Sequence, residues 1–167
     1  REAVQQAAAQ ARRAADVVAR LRQRIESPDA ALTARTLDLA AVCAQVLELL
    51  DPALRERAIA VRVQGQAPRV RADPVALEQI VHNLVGNAIQ ALQDVPAAER
   101  QLVLALEAQG ARATLTVRDN GSGIADGLWP RLFEPFVTTR GKGQGLGLGL
   151  SLCRSLAQSM GGSLDAL

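Results

Sequence analysis

The chain has 167 residues, 49% of them hydrophobic and 22% charged, with 19 basic against 17 acidic residues and a net charge of +2. That is the size of one domain with ample material for a core, and a charge too near neutrality to suggest a nucleic-acid binder. Cys43 and Cys153 lie far apart on apolar segments, which disfavours a disulfide framework or a zinc site, and His82, the only histidine, leaves a hydrolytic triad one unpromising base.

Residues 1–26 lack Gly and Pro and are rich in Ala, Gln and Arg, all good helix formers. Val4, Ala8, Ala11, Ala15, Val18, Leu21 and Ile25 step by three and four, an apolar stripe at coiled-coil spacing. The pattern predicts a helical arm over 1–27 that seeks a partner helix, a linker over 28–35, and a globular unit from residue 36. No apolar run approaches the ~18 residues of a membrane span, and no signal peptide is expected.

Within the globule a helix is predicted over 38–57 from an Asp38 cap, then a strand from Ile59 to Val63 and a short one at Val70–Ala72. Asp73-Pro74 supplies a cap and a first-turn proline for a helix reaching about Gln93. Its core stripe reads Leu77, Val81, Leu84, Ala88 and Ala91, and a second stripe holds four amides, Gln79, Asn83, Asn87 and Gln90. Amides are costly to bury unsatisfied, so such a row beside an apolar stripe calls for a polar partner. A hydrated magnesium with phosphates is one, because amide oxygens suit a hard cation; a solvated helix face would accommodate the row as well. His82 lies off it.

Leu102–Glu107 and Arg112–Val117 alternate around Gln109-Gly110 and predict a hairpin. Residues 120–149 carry most of the 13 glycines and all three aromatics, Trp129, Phe133 and Phe136. Asp119-Asn120-Gly121-Ser122-Gly123 follows the second hairpin strand, where glycines let the backbone approach a flat ligand and a carboxylate can accept from an exocyclic amine. Gly141, Gly143, Gly145, Gly147 and Gly149 alternate before a helix predicted from Leu150 to Met160, and Gly161-Gly162 ends it. Free N–H groups at such a turn form an anion site, although neither a P-loop nor a G-x-G-x-x-G register fits. Helices mixed with antiparallel strands predict an α+β sandwich.

Taken in order, these motifs resemble the ATP-binding catalytic domain of sensor histidine kinases. Asn83-Leu84-Val85-Gly86-Asn87-Ala88 is similar to the family's N box, and Asp119–Gly123 to its first glycine box. Leu132-Phe133-Glu134-Pro135-Phe136 with Thr138-Thr139-Arg140 resembles the F box, and Gly145–Ser151 the second glycine box. The style is nearest that of nitrogen-regulator and C4-dicarboxylate sensors. The resemblance covers about 36–167, and 1–26 is similar to the second helix of a dimerisation and phosphotransfer hairpin.

The resemblance implies the two-layer ATP sandwich shared with gyrase, heat-shock chaperone ATPases and MutL, its helices lying on a mixed, mostly antiparallel sheet. It implies ATP and Mg²⁺, with Asn87 on the metal helped by Asn83, and Gln90 toward the phosphates. Asp119 would bond the adenine amine, with Gly121, Gly123 and Ile124 at the base. Residues 124–145 would form an ATP lid, with Thr139, Arg140 and Lys142 reaching phosphate. Gly145, Gly147 and Gly149 would offer backbone N–H beside Leu146, Leu148 and Leu150. Leu146 stands where many relatives have Thr or Ser.

Catalysis is thereby assigned to Asn83, Asn87 and Arg140. Hydrolysing relatives carry a Glu four residues before the magnesium Asn; here that position is Asn83, and Glu78 is five residues out of register. The choice favours phosphotransfer to an outside histidine over hydrolysis, with an ATP hydrolase of the same fold or a non-catalytic nucleotide-binding scaffold as alternatives. The expected partners are an acceptor-histidine hairpin, a response-regulator receiver domain and a second copy joined through the arm, with no nucleic acid. The expected place is the cytoplasm, which is compatible with a parent protein anchored in the inner membrane. The acceptor histidine and the rest of a closing strand after Gly162 are expected beyond this chain's ends.

Overall fold

Asp38 opens the first helix as its spacing predicts: one carboxylate oxygen accepts from the N–H groups of Ala40 and Ala41, at 2.9 and 3.2 Å, two of the donors that a helix start leaves unpaired. The computed structural model describes residues 34–137 and 147–167. The predicted arm, most of the linker, and Thr139, Arg140, Lys142, Gly145 and Leu146 lie outside them. The elements are β1 (Arg35–Asp38), α1 (Leu39–Glu56), β2 (Ala60–Gly65), β3 (Arg69–Ala72), α2 (Pro74–Ala91), β4 (Gln101–Gln109), β5 (Arg112–Asp119) and α3 (Gly149–Ser159). No helix among the described residues is long and apolar enough to cross a membrane.

Two sheets form. β2, β4 and β5 lie in that order, β2–β4 parallel and β4–β5 antiparallel, while β1 pairs antiparallel with β3. The hairpin closes at Gly110, whose φ of 58° suits the first central position of a two-residue turn. β1 is an addition to the predicted elements: four residues are too few to display alternation, and the strand exists through its pairing with β3.

The core is aliphatic. Leu102, Leu104 and Leu106 point inward from β4 against Val42, Cys43 and Val46 of α1 and Val81, Val85 and Ile89 of α2. The single stripe predicted for α2 needs correction. Val81 and Ala88 are buried as expected, but Leu77 and Leu84 are only partly so. Ala76 and Ile80 face a second cluster with Cys153, Leu156 and Ala157 of α3. α2 is packed on two sides, so its buried residues spread around the helix beyond one stripe.

Arg100 ties these pieces together ahead of β4. Its guanidinium donates to the carbonyls of Val95, Arg57 and Gln93 at 2.8, 2.7 and 3.1 Å, the last two just beyond the C-terminal ends of α1 and α2, where positive charge is favoured. Charged donors are worth more than neutral ones. Arg100→Ala should therefore lower unfolding free energy by about 2–4 kcal/mol in a urea titration, and Arg100→Lys should recover only part, since an ammonium cannot span three carbonyls.

Candidate nucleotide site

Three segments distant in sequence line one cleft: the amide face of α2, the turn after β5, and the start of α3. Asn83, Asn87 and Gln90 contribute from the first, Asp119, Gly123 and Ile124 from the second, and Gly147, Leu148, Gly149 and Leu150 from the third. Each helix register has a local cause. Asp73 caps α2 by accepting from the Ala76 N–H at 2.9 Å, with Pro74 in the first turn; residues 79, 83, 87 and 90 then share a face.

The amides are organised among themselves. Gln79 Nε2 donates to Asn83 Oδ1 at 3.2 Å, and Asn83 Nδ2 donates to Cys153 Sγ at 3.3 Å. Gln79, Asn83 and Asn87 are half-buried and Gln90 is exposed. His82 and Glu78 do not line the cleft. Among the described residues no group of three or more His, Cys, Asp or Glu could hold a metal. The donors are amide oxygens, which fit a hard cation that keeps its waters and shares phosphate oxygens.

At the end of β5 the neighbours Asp119 and Asn120 divide the work. Asn120 fixes the strand end, accepting from the Gln101 N–H and donating to the Glu99 carbonyl, both at 2.8 Å. Asp119 Oδ1 accepts from the Gly121 N–H at 2.9 Å, which holds the carboxylate at the cleft wall. Gly123, with φ 71°, lines the cleft with open space where a side chain would stand. Gly121 does not line it. A Cβ there would lie 2.5 Å from the Ala91 carbonyl oxygen and 2.7 Å from Asp119 Oδ1, so this glycine lets the turn pack on the end of α2.

Opposite, α3 starts without a side-chain cap, whereas α1 and α2 both carry an Asp. Uncapped first-turn N–H groups with the positive end of the dipole are an anion site. Gly147 has φ 64°, its carbonyl accepts from the Phe136 N–H at 3.0 Å, and a Cβ would meet the Phe136 and Val137 backbone at 2.6 Å. The two flanks of residues 138–146 are thereby joined. Of the three aromatics, Trp129 and Phe133 line the cleft, and Phe136 is 75% exposed. Arg154 of α3 stacks over the Phe133 ring, 4.7 Å from its centroid, a cation–π contact. The contacts of Cys153 and Arg154 had no signal in the sequence, where both read as ordinary positions of an amphipathic helix.

Comparison with known proteins identifies the family and the fold. Residues 72–166 match the family of histidine kinase-, DNA gyrase B-, and HSP90-like ATPases. The chain is 37% identical over 166 residues to the C4-dicarboxylate transport sensor protein DctS of Rhodobacter capsulatus, covering 98% of this chain and 25% of that protein. It is 33% identical over 117 residues to DctB of Pseudomonas aeruginosa, covering 68% of this chain and 19% of the relative. The chain thus spans a quarter or less of these relatives' length. Among solved structures, the catalytic domain of histidine kinase ThkA superimposes with a TM-score of 0.67 at 27% identity, over 77% of this chain and 82% of that one. Full-length ShkA in complex with AMPPNP does so at 0.65 and 32%, over 78% and 27%. Fold, cleft and relatives agree: the chain belongs to the histidine kinase-, DNA gyrase B- and HSP90-like ATPase family, as an ATP-binding catalytic domain of the sensor histidine kinase type.

Proposed function

We propose that this domain, spanning about residues 36–167, binds Mg-ATP and passes the γ-phosphate to a histidine on a dimerisation and phosphotransfer hairpin outside the chain. The carrying observation is the convergence on one cleft of an amide row, an oriented carboxylate and an uncapped helix start. Asn87 and Asn83 would hold the metal, which when bound neutralises phosphate charge. Asp119 accepts from the adenine amine through its second carboxylate oxygen while the first stays on the Gly121 N–H. Gly123 and Ile124 lie against the base, Gln90 reaches toward the phosphates, and the N–H groups of Gly147–Leu150 bind phosphate oxygens. Thr139, Arg140, Lys142, Gly145 and Leu146 are assigned to the phosphates on the sequence motif.

The reaction needs positioning and charge balance more than covalent help from the protein. An imidazole nitrogen forms the bond to the γ-phosphorus as the bond to the bridging oxygen breaks and ADP leaves. Asn83, an amide, cannot take a proton from water, and Glu78 is exposed outside the cleft; both disfavour hydrolysis. ThkA forms a complex with the response regulator protein TrrA, and a receiver domain is the proposed downstream partner here. Dimerisation through residues 1–27, and a cytoplasmic domain whose parent is anchored in the inner membrane, belong to the same proposal.

The test is incubation with Mg²⁺ and γ-labelled ATP beside a separately made hairpin carrying an acceptor histidine. Acid-labile label on the hairpin is expected. Label released only as inorganic phosphate would identify a hydrolase instead.

A further inference from the structure

The thiol of Cys153 lies beside Asn83 of the amide row and is fully buried. Its Sγ is 3.3 Å from Asn83 Nδ2 and 4.0 Å from the Ile80 carbonyl oxygen. A carbonyl oxygen can only accept, so the thiol proton is directed to Ile80 and sulfur turns its lone pairs to Asn83. That choice decides which way round the Asn83 carboxamide sits: its NH₂ meets the sulfur, and its oxygen meets the Gln79 NH₂ at 3.2 Å. The oxygen has two lone pairs and Gln79 takes one, so the other remains for a cation or a metal-bound water. Rotated by half a turn, the same side chain would present N–H donors where its oxygen stood. We infer that Cys153 and Gln79 are positioning residues that fix the carboxamide of Asn83, oxygen outward, for the metal side of the nucleotide site.

Burial pushes the Cys153 thiol up to about 11. The chain of bonds also links α2 to α3, so the amide wall and the anion-binding helix start share one hydrogen-bonded contact between residues 70 positions apart. The inference rests on the Mg-ATP reading and deepens it: the Mg²⁺ requirement is set partly by a sulfur that never touches metal or nucleotide. Supporting partners of this kind affect metal affinity by roughly 10–100-fold.

The experiment compares the full chain with Cys153→Ser, Cys153→Val, Cys153→Ala and Gln79→Leu. For each, the Mg²⁺ midpoint for binding ATP is measured by calorimetry, the melting temperature without nucleotide is recorded, and the Asn83 side-chain NH₂ signals are followed by NMR. Serine keeps both the donor and the acceptor and should hold the parent's midpoint. Valine and alanine keep a small apolar residue but free the carboxamide, and should raise the midpoint roughly tenfold, with the NH₂ signals displaced. Gln79→Leu should raise it in the same direction. Val and Ala variants with the parent's midpoint, even if they melt lower, would overturn the inference, as would a serine variant that fell with them. Those results leave the parent's Mg-ATP binding intact, whereas a parent that binds no Mg-ATP overturns the proposed function and this inference together.

Discussion

Asn87→Ala should cost most of the Mg²⁺-dependent affinity for ATP while leaving the fold in place. Asn87 is half-buried on the cleft face of α2, one turn beyond Asn83, and its amide oxygen suits a hard cation. Removing a direct ligand should cost at least the roughly 10–100-fold that losing a supporting partner costs. Binding measured in excess chelator should fall far less, because the contacts proposed for adenine, at Asp119, and for the phosphates, at the start of α3, are made by other residues of the cleft. Calorimetry with and without Mg²⁺ separates the two, and phosphotransfer should fall with the metal-dependent arm. Equal losses in both arms would remove Asn87 from the metal. The variant should melt close to the parent, since the buried residues of α2, Ala76, Ile80, Val81, Val85, Ala88 and Ile89, remain.

Gly121→Ala should damage both stability and nucleotide binding with a single methyl group. The glycine has no left-handed φ to preserve, so the demand is for space. The new carbon would stand 2.5 Å from the Ala91 carbonyl oxygen and 2.7 Å from its carbon, both backbone atoms at the end of α2. Neither can swing aside as a flexible side chain would. Either the turn lifts from the helix or the helix end shifts, at about 2–4 kcal/mol in urea unfolding. The same methyl would press on Asp119 Oδ1 at 2.7 Å and dislodge the carboxylate proposed to select adenine. ATP affinity should therefore fall even at temperatures where the variant is fully folded, whereas Gly127→Ala, in open space nearby, should leave stability close to the parent's.

What the sequence made legible was local. Asp38 and Asp73 each announce a helix because a cap acts within three residues, and both bonds are present. Gly110 marked the hairpin and Gly161, at φ 78°, the end of α3, because each satisfies a constraint of its own backbone. The amide row was legible because a helix places residues 79, 83, 87 and 90 on one face whatever lies opposite. Facts set by distant partners were not. β1 is made by β3, the second apolar face of α2 is made by α3, and Cys153 gives no sign in sequence that it meets Asn83. Gly121 shows the limit most clearly. Its motif placed it at the nucleotide base, yet its space is taken by the end of α2.

The division of the interior into two apolar groups has a consequence for how the domain opens. The larger unites α1, α2 and β4, whereas α3 rests on Ala76 and Ile80 through Cys153, Leu156 and Ala157. A helix seated on the smaller of two clusters should open locally at less than the global cost. Its start is also the proposed phosphate-binding wall, and only with α3 docked can a ligand touch both walls at once. By mass action such a ligand stabilises the docked helix by RT ln(1 + [L]/Kd). Occupancy of the cleft should thus raise the population of docked α3, while the unfolding of β4 and α1 stays governed by the larger core.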